Sequence, residues 1–371
     1  MLVAVGQAAH LDCDAVLDLG PFHPTAHAGV QIEVCTEAGL ITSVDPRVGL
    51  MHRSAEKLFE VRDYRQILML ANRHDWFAPF GSELGVALVV EAATGIVPSS
   101  RATWTRMVLA EATHIMGALS FLGTADPLGS LHPLLRYREE WTAWLERATG
   151  ARVHPMITRI GGLAEAISEE VLTEAVSLAA RFPAEISAVH ESFETMVATV
   201  TGVATLSHGD AIRYAVSGPV ARASGVDLDL RRDSSYLNYA ELGTDLVVST
   251  EEAGDGAARY RILLAQGLAS AQIVPLCVEN AMRFADQPID VPLPKTLKVP
   301  EGTYYLRTEN PMGISGWLLD STGEKTPSRL KIRSSSFAHL QAMPRALVGL
   351  PIDQLADAVR SFFVLMGDVD R

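Results

Sequence analysis

The run "MVLAEATHIMGALSFLGTA", residues 107–125, decides how the rest of the chain is read, because no longer stretch of the sequence is so nearly apolar. A membrane-spanning helix needs about 20 consecutive apolar residues. Glu111 and His114 interrupt the run, and charge in the middle of a bilayer is costly, so it reads as a helix buried in a protein core. The composition agrees. Of 371 residues, 48% are hydrophobic and 20% charged, the balance of a globular chain and not of a disordered one.

The net charge of −13, with no run of basic residues, excludes nucleic acid as the expected partner, since neutralising phosphates takes clustered Lys and Arg. The opening "MLVAVGQAAHLDCD" lacks the charged start and apolar stretch of a signal peptide. A cytoplasmic protein is expected, attached to any membrane through partners. Cys13, Cys35 and Cys277 form no CxxC pair, which speaks against a zinc ribbon, a self-supplied iron–sulfur cluster and a disulfide framework.

Around the central run the pattern is helical. "RSAEKLFEVRDYRQILMLANR" (53–73), "SELGVALVVEAATGI" (82–96) and "LLRYREEWTAWLERATG" (134–150) read as helices, with Gly95, Pro98 and Gly150 as punctuation. Residues 168–200 read as helical on both sides of a break at Pro183, starting at Ser168. Residues 202–258, rich in Gly, Ser and Asp, read as irregular, and 257–282 as a helix bent near Pro275. "VQIEV" and "LITSV" (30–34 and 40–44) read as a hairpin turned by "CTEAG". "TYYLRTE", "GWLLDST" and "SRLKIRS" form a second β unit, and "IDQLADAVRSFFVLM" (352–366) a last helix. The expected fold is α+β, mainly α: one domain over 1–371, with a β hairpin region at 1–50, a helical core at 51–290, and a β unit and C-terminal helix at 300–371.

Three features carry chemistry. "GPFHPTAHAGV" (20–30) places His23 and His27 four apart, a spacing open to a metal site, a proton-exchanging site or a plain loop. Pro24 stands where a zinc HExxH helix has its Glu, and no third ligand lies near. Glu56, Lys57, Glu60 and Arg53 make i,i+3 and i,i+4 pairs that read as a solvated helix face. Glu83, Glu91 and Glu111 sit among apolar residues and are either ion-paired or proton-carrying, with ion pairing the plainer reading.

"GPFHPTAH" resembles the GPxHPxxH opening of the D-type subunits of the proton-pumping NADH:quinone oxidoreductase, respiratory complex I. The resemblance continues through "VDPRVGLMHRSAEKL", "RATWTRMVLAE", "LERATGARVHPMITRIGGL", "GPVARASGVDLDLR", "TENPMGISGWLLDS" and "SRLKIRSSSFAHL" to "MGDVDR", over about residues 18–371. It implies a helical bundle core related to the nickel–iron hydrogenase large subunit. The hydrogenase metal sits on cysteine pairs. The corresponding places here, "RHDWFA" (73–78) and "GDVDR" (367–371), hold no cysteine, so no metal is expected.

The resemblance also implies a quinone headgroup site. His27 takes the place of the family histidine that bonds one quinone carbonyl, with His23 ordering the same loop. Asp126, in a stretch one residue shorter than the family pattern, takes the place of that histidine's carboxylate partner. The family tyrosine that contacts the other carbonyl is replaced by Trp76, after Asp75, and the glycine after the second histidine by Ala28. An indole N–H donates a hydrogen bond but releases no proton at physiological pH. A shifted quinone, a second proton from water or Asp75, or a non-catalytic structural copy each accommodates the change. By resemblance, NAD, FMN and iron–sulfur clusters belong to partner subunits. The B-type and C-type subunits and the H-type subunit of the membrane arm are the expected neighbours, on the cytoplasmic face of the membrane.

Overall fold

The computed structural model describes residues 31–371, together with two short strands, Val3–Ala4 (β1) and Ala15–Asp18 (β2). The expected hairpin is Gln31–Glu37 (β3) and Leu40–Arg47 (β4), turned at Ala38 and Gly39 with φ of 50° and 81°. These four strands make one antiparallel sheet in chain order. Residues 53–73 form two helices instead of one, Ala55–Phe59 (α1) and Tyr64–Ala71 (α2). Asp63 causes the restart. Its carboxylate accepts from the Arg65 and Gln66 amides at 3.0 and 3.1 Å, and the Gln66 side chain accepts from its amide in return.

Pro79–Thr94 (α3) ends on Gly95 in the left-handed region, and Ser99 caps Ser100–Gly123 (α4) by accepting from the Ala102 amide at 3.0 Å. Pro133–Thr149 (α5) ends on Gly150, and Thr158–Arg159 (β5) pairs with Gly162–Leu163 (β6). Ser168 caps Glu169–Ala188 (α6) as expected, but Pro183 lies within that helix. The break falls at buried Val189, which leaves helical geometry at φ −115° before His190–Thr199 (α7). The irregular region carries the short helices His208–Arg213 (α8), Gly218–Arg222 (α9) and Leu230–Asp233 (α10). Gly256–Arg283 (α11) runs on past Pro275.

Gly302–Asn310 (β7), Gly313–Ser321 (β8) and Arg329–Arg333 (β9) form the second sheet, an antiparallel meander. Ser335–Leu347 (α12) follows. The expected last helix is cut to Leu355–Arg360 (α13), before a single turn at Met366–Val369 (α14). Phe363 takes φ 51°, and residues 362–365 are buried in succession. A helix would turn some of those four side chains to solvent, so tertiary burial overrides local preference.

α4 and α11 lie against each other at the centre, with α5 and α6 outside them. Both are buried around most of their girth, which is why neither shows a one-sided apolar stripe. α11 is also long and apolar enough to cross a membrane, and most of it is buried inside the protein. Close approach comes from small residues: a Cβ on Gly267 of α11 would stand 2.8 Å from Phe182 of α6 and 3.3 Å from Ala118 of α4. A second core lies between α3 and the β7–β9 sheet, built on Val86, Val89, Val90, Trp317, Leu319 and Ile332. α3 faces this core and the main one at once.

Gly85 of α3 is where helix and sheet touch. A Cβ there would stand 2.1 Å from the Trp317 indole nitrogen. Gly85→Ala should therefore destabilise the chain by about 1–3 kcal/mol through overpacking, despite the higher helix propensity of alanine. The check is the thermal unfolding midpoint of the purified assembly; an unchanged midpoint would mean that Trp317 is free to move aside.

Candidate functional site

A cavity of about 390 Å³ opens where two distant segments meet, residues 73–76 after α2 and residues 367–371 at and beyond α14. Met51, Leu58, Leu70 and Trp76 supply apolar wall, and Arg53, Arg73, Arg371 and Asp370 supply charge. The six-membered ring of Trp76 lies against Gly367, where a Cβ would stand 2.1 Å from its Cζ3. Any side chain at 367 would push the indole out, so the glycine sets the shape of this wall.

Residues 367–371 are tied down on three sides. Asp368 accepts from the Ser334 hydroxyl at 2.6 Å and the Ser336 amide at 3.2 Å. Asp370 accepts from the Gly49 and Met51 amides at 2.7 and 2.9 Å. Arg371 bonds the Ile332 carbonyl at 2.8 Å and pairs with Glu56 at 3.5 Å. Glu56 also accepts from the Ile332 amide and from Arg329, so it anchors α1 to β9 and does not belong to a solvated face. Lys57 and Glu60 do form the expected exposed pair.

Behind the cavity wall the acid–base groups crowd together. His74 is buried edge-on to Trp317, with Nε2 3.9 Å from Asp368 Oδ1. Burial pulls its pKa down against the opposing pull of Asp368. Asp75 keeps part of its surface, but its carboxylate turns inward, accepting from the Phe77 and Ala78 amides at 3.2 and 3.0 Å, with the Asn310 side chain favouring its charged form. Burial, reinforced by the charge of Asp368, raises its pKa to about 7. An acid beside the cavity is thus poised to change charge at neutral pH.

Asp126 lies elsewhere, on a second cavity of about 550 Å³ that it shares with Glu191, Tyr260 and Asp357. Its carboxylate folds its own loop, accepting from the Leu128 and Ser130 amides and from the Ser130 hydroxyl at 2.6 Å. Burial raises its pKa, but these bonds, Ser130 foremost, outweigh that and leave it below the usual value. An aromatic row, Phe77, Phe121, Phe363 and Tyr260, with neighbouring centroids 4.9–5.4 Å apart, runs from beside Trp76 to this second cavity. His23 and His27 lie outside the described residues.

The three carboxylates of the apolar helices resolve differently. Glu91 forms a two-pronged pair with Arg106 at 3.0 and 2.7 Å, and Glu111 pairs with Arg231 at 2.9 Å. Glu83 has no cation against it among the described residues; it accepts from Asn72 at 2.6 Å and from the Met156 and Thr158 amides, and burial raises its pKa. Among the described residues no group of three or more His, Cys, Asp or Glu is arranged to hold a metal ion.

The sequence matches the family described as "Respiratory-chain NADH dehydrogenase, 49 Kd subunit" over residues 128–296 and 291–371. It is 43% identical to the D 1 subunit of NADH-quinone oxidoreductase from Streptomyces coelicolor, over 100% of this chain and 98% of that one. It is also 43% identical to the D 2 subunit from Salinispora tropica, over 97% and 94% of the two chains. To the D subunit from Wolbachia pipientis it is 31% identical, over 96% and 98%.

The Asp75 environment has a measurable consequence for stability. Its pKa is raised in the folded chain, so the stability it contributes is complete below the unfolded carboxylate value of about 4 and is lost as pH rises through about 7. Asp75→Asn keeps the oxygen that accepts both amides and removes the buried charge. Thermal midpoints measured against pH should show the variant more stable than wild type by a margin that grows between about pH 4 and pH 7 and then levels off. A margin independent of pH would mean that Asp75 is ionised normally.

Proposed function

The chain belongs to the 49-kilodalton, D-type subunit family of respiratory-chain NADH dehydrogenase, and from that premise we propose that its Trp76 cavity receives the headgroup of a quinone. The observation that carries the reading is the meeting of residues 73–76 with 367–371 around a largely apolar cavity of about 390 Å³, within the range of small-molecule sites. These are the places where the hydrogenase large subunits hold their metal on cysteines. Here they hold Trp76, Asp75, His74 and Asp368. The same ancestry accounts for a bundle built as one unit around α4 and α11.

In this reading the electrons come from an iron–sulfur cluster of a B-type partner at the cavity mouth, with NADH and flavin bound by other peripheral-arm subunits. The C-type subunit and the membrane arm's H-type subunit are neighbours, and the chain sits on the cytoplasmic face of the membrane as part of a proton-translocating complex. A quinone that takes up two electrons becomes a base and needs two protons to become quinol. His27 bonds one carbonyl and delivers one proton, with His23 ordering its loop. At the other carbonyl Trp76 offers only a hydrogen bond, so Asp75 supplies the second proton from behind the indole. Arg53, Arg73 and Arg371 favour negative charge developing on the headgroup.

The test is NADH-driven quinone reduction in membranes where this chain is the sole D-type subunit. Wild-type turnover should be robust, and His27→Ala should lower it by about 100-fold or more. An assembled complex that turns over in neither case would make the chain a structural copy that keeps the fold without the chemistry.

The same membranes separate the roles of the two residues on the other side of the cavity. Asp75→Asn should lower turnover by about 100-fold with little change in the quinone KM, the pattern of a lost acid and not of lost binding. Trp76→Tyr should retain turnover within severalfold, because a phenol restores the same hydrogen bond. A large gain in Trp76→Tyr would mean that the indole blocks the site.

A further inference from the structure

Deeper in the bundle lies a charged cluster that quinone binding does not use. Three carboxylates, Glu111, Asp229 and Glu309, face two guanidinium groups, Arg222 and Arg231, and all five side chains are buried. Arg231 clasps Asp229 at 3.0 and 2.8 Å and reaches Glu111 at 2.9 Å. Tyr239 donates to the other Glu111 oxygen at 2.5 Å. Arg222 stands 3.3 Å from Asp229 and 3.2 Å from Glu309. Fully ionised, the cluster would bury one negative charge more than its cations balance, and an unbalanced buried charge is expensive. One proton removes the imbalance.

The place for that proton is the carboxylate with the poorest partners. Glu309 has one ion-pair nitrogen among the described residues, the Arg222 Nη1 that Asp229 also claims, and its second oxygen accepts from the Leu230 amide at 3.1 Å. The surrounding groups do not supply the missing cation. His114 on α4 lies with Nε2 3.2 Å from the Glu309 carbonyl, but burial, aided by Arg231, pushes its pKa down to about 4. Tyr236 accepts from the Glu309 amide at 3.2 Å, and Gln266 on α11 accepts from Arg222. Ser270 accepts from Arg231, buried Cys277 feels Glu111, and Arg333 on β9 acts on Glu309 only at longer range. Burial first, and Asp229 second, push Glu309 up to about 7 against Arg222.

We propose that this cluster is a proton-binding site, that Glu309 holds its one exchangeable proton, and that the site replenishes Asp75 at the cavity wall. The link is the next residue, Asn310, whose buried side chain acts on the Asp75 carboxylate and packs against α3 at Gly81, where a Cβ would stand 2.4 Å from Oδ1. The transfer balances as a single proton: Glu309 goes from acid to carboxylate and Asp75 from carboxylate to acid, with no electron moved. The destination of the proton rests on the reading of Asp75 as the cavity acid; the existence of the site does not.

The experiment is infrared difference spectroscopy of the purified, assembled complex between about pH 6 and pH 8. Asp75 and Glu309 both titrate over that interval, and the Glu309 component of the protonated-carboxyl band should fall about tenfold, vanish in Glu309→Gln, and shift without vanishing in Glu309→Asp. It should persist in Asp75→Asn, so that failure of the headgroup reading leaves it intact. In turnover, Glu309→Gln should cut kcat at pH 8 by about tenfold with the quinone KM unchanged. A band absent from the wild type, or indifferent to both Glu309 changes, overturns the site. A band that behaves as expected while kcat holds in Glu309→Gln overturns the link to Asp75.

Discussion

The turn between β7 and β8 is the point on which helices, sheet and site all depend. Pro311 fills the space left by Gly117 of α4, where a Cβ would stand 2.6 Å from its own Cβ, and Asn310 fills the space left by Gly81 of α3. On the far side Gly313 meets Gly218 of α9 backbone to backbone, and the Ile314 amide donates to the Ser217 hydroxyl at 3.0 Å. The Pro311 carbonyl accepts from Gln266 of α11 at 2.8 Å. A polar turn buried among four helices is tolerable only when its backbone groups find partners, and the glycines let those partners come close enough. Packing and polarity are therefore solved together at one place.

That turn also places the chemistry. Glu309 precedes it and belongs to the buried cluster, while Asn310 begins it and acts on Asp75 beside the cavity. The opposite wall is fixed by residues 367–371, which have no long helix of their own. Their position comes from side-chain bonds to the loop after β4, to β9 and to the start of α12. Small shifts at any of these anchors would be felt directly by the indole resting on Gly367.

Much of the fold was legible because the signals were local. Gly95, Gly150 and Ser168 mark helix ends where capping chemistry demands them, and the two β units announce themselves by strand composition and turns. Where the reading fails, a tertiary term has won. Pro183 is accommodated inside a helix, and the helix expected over 352–366 is broken because residues 362–365 are all drawn inward. Asp63 ended a helix that periodicity alone would have continued, through a capping box visible in "DYRQ". The site was harder. Resemblance singled out Trp76 and Asp75, but nothing local joins them to Asp370 or Arg371, and the pairing of Glu56 with Arg329 and Arg371 is a long-range event that helical spacing cannot reveal. Glu309 sits within a β-rich block with no acid–base signature of its own.

The exchange of a phenol for an indole shows how much chemistry a site can shift from one side chain to its surroundings. A tyrosine at position 76 would combine contact and proton in one group. In the proposed reading Trp76 keeps the contact at the cavity surface, and the proton comes from Asp75, a carboxylate turned inward. Burial moves such a carboxylate towards neutrality, and each further buried negative charge nearby moves it higher. Burial raises Asp75 and Glu309 first, and the neighbouring carboxylates Asp368 and Asp229 add to it in turn. Asp229 stays ionised because Arg231 and Arg222 hold it well below the usual carboxylate range despite its burial. The guanidinium groups at the centre of the bundle thus act on Glu309 through Asp229 as well as directly, setting the charge environment in which it sits.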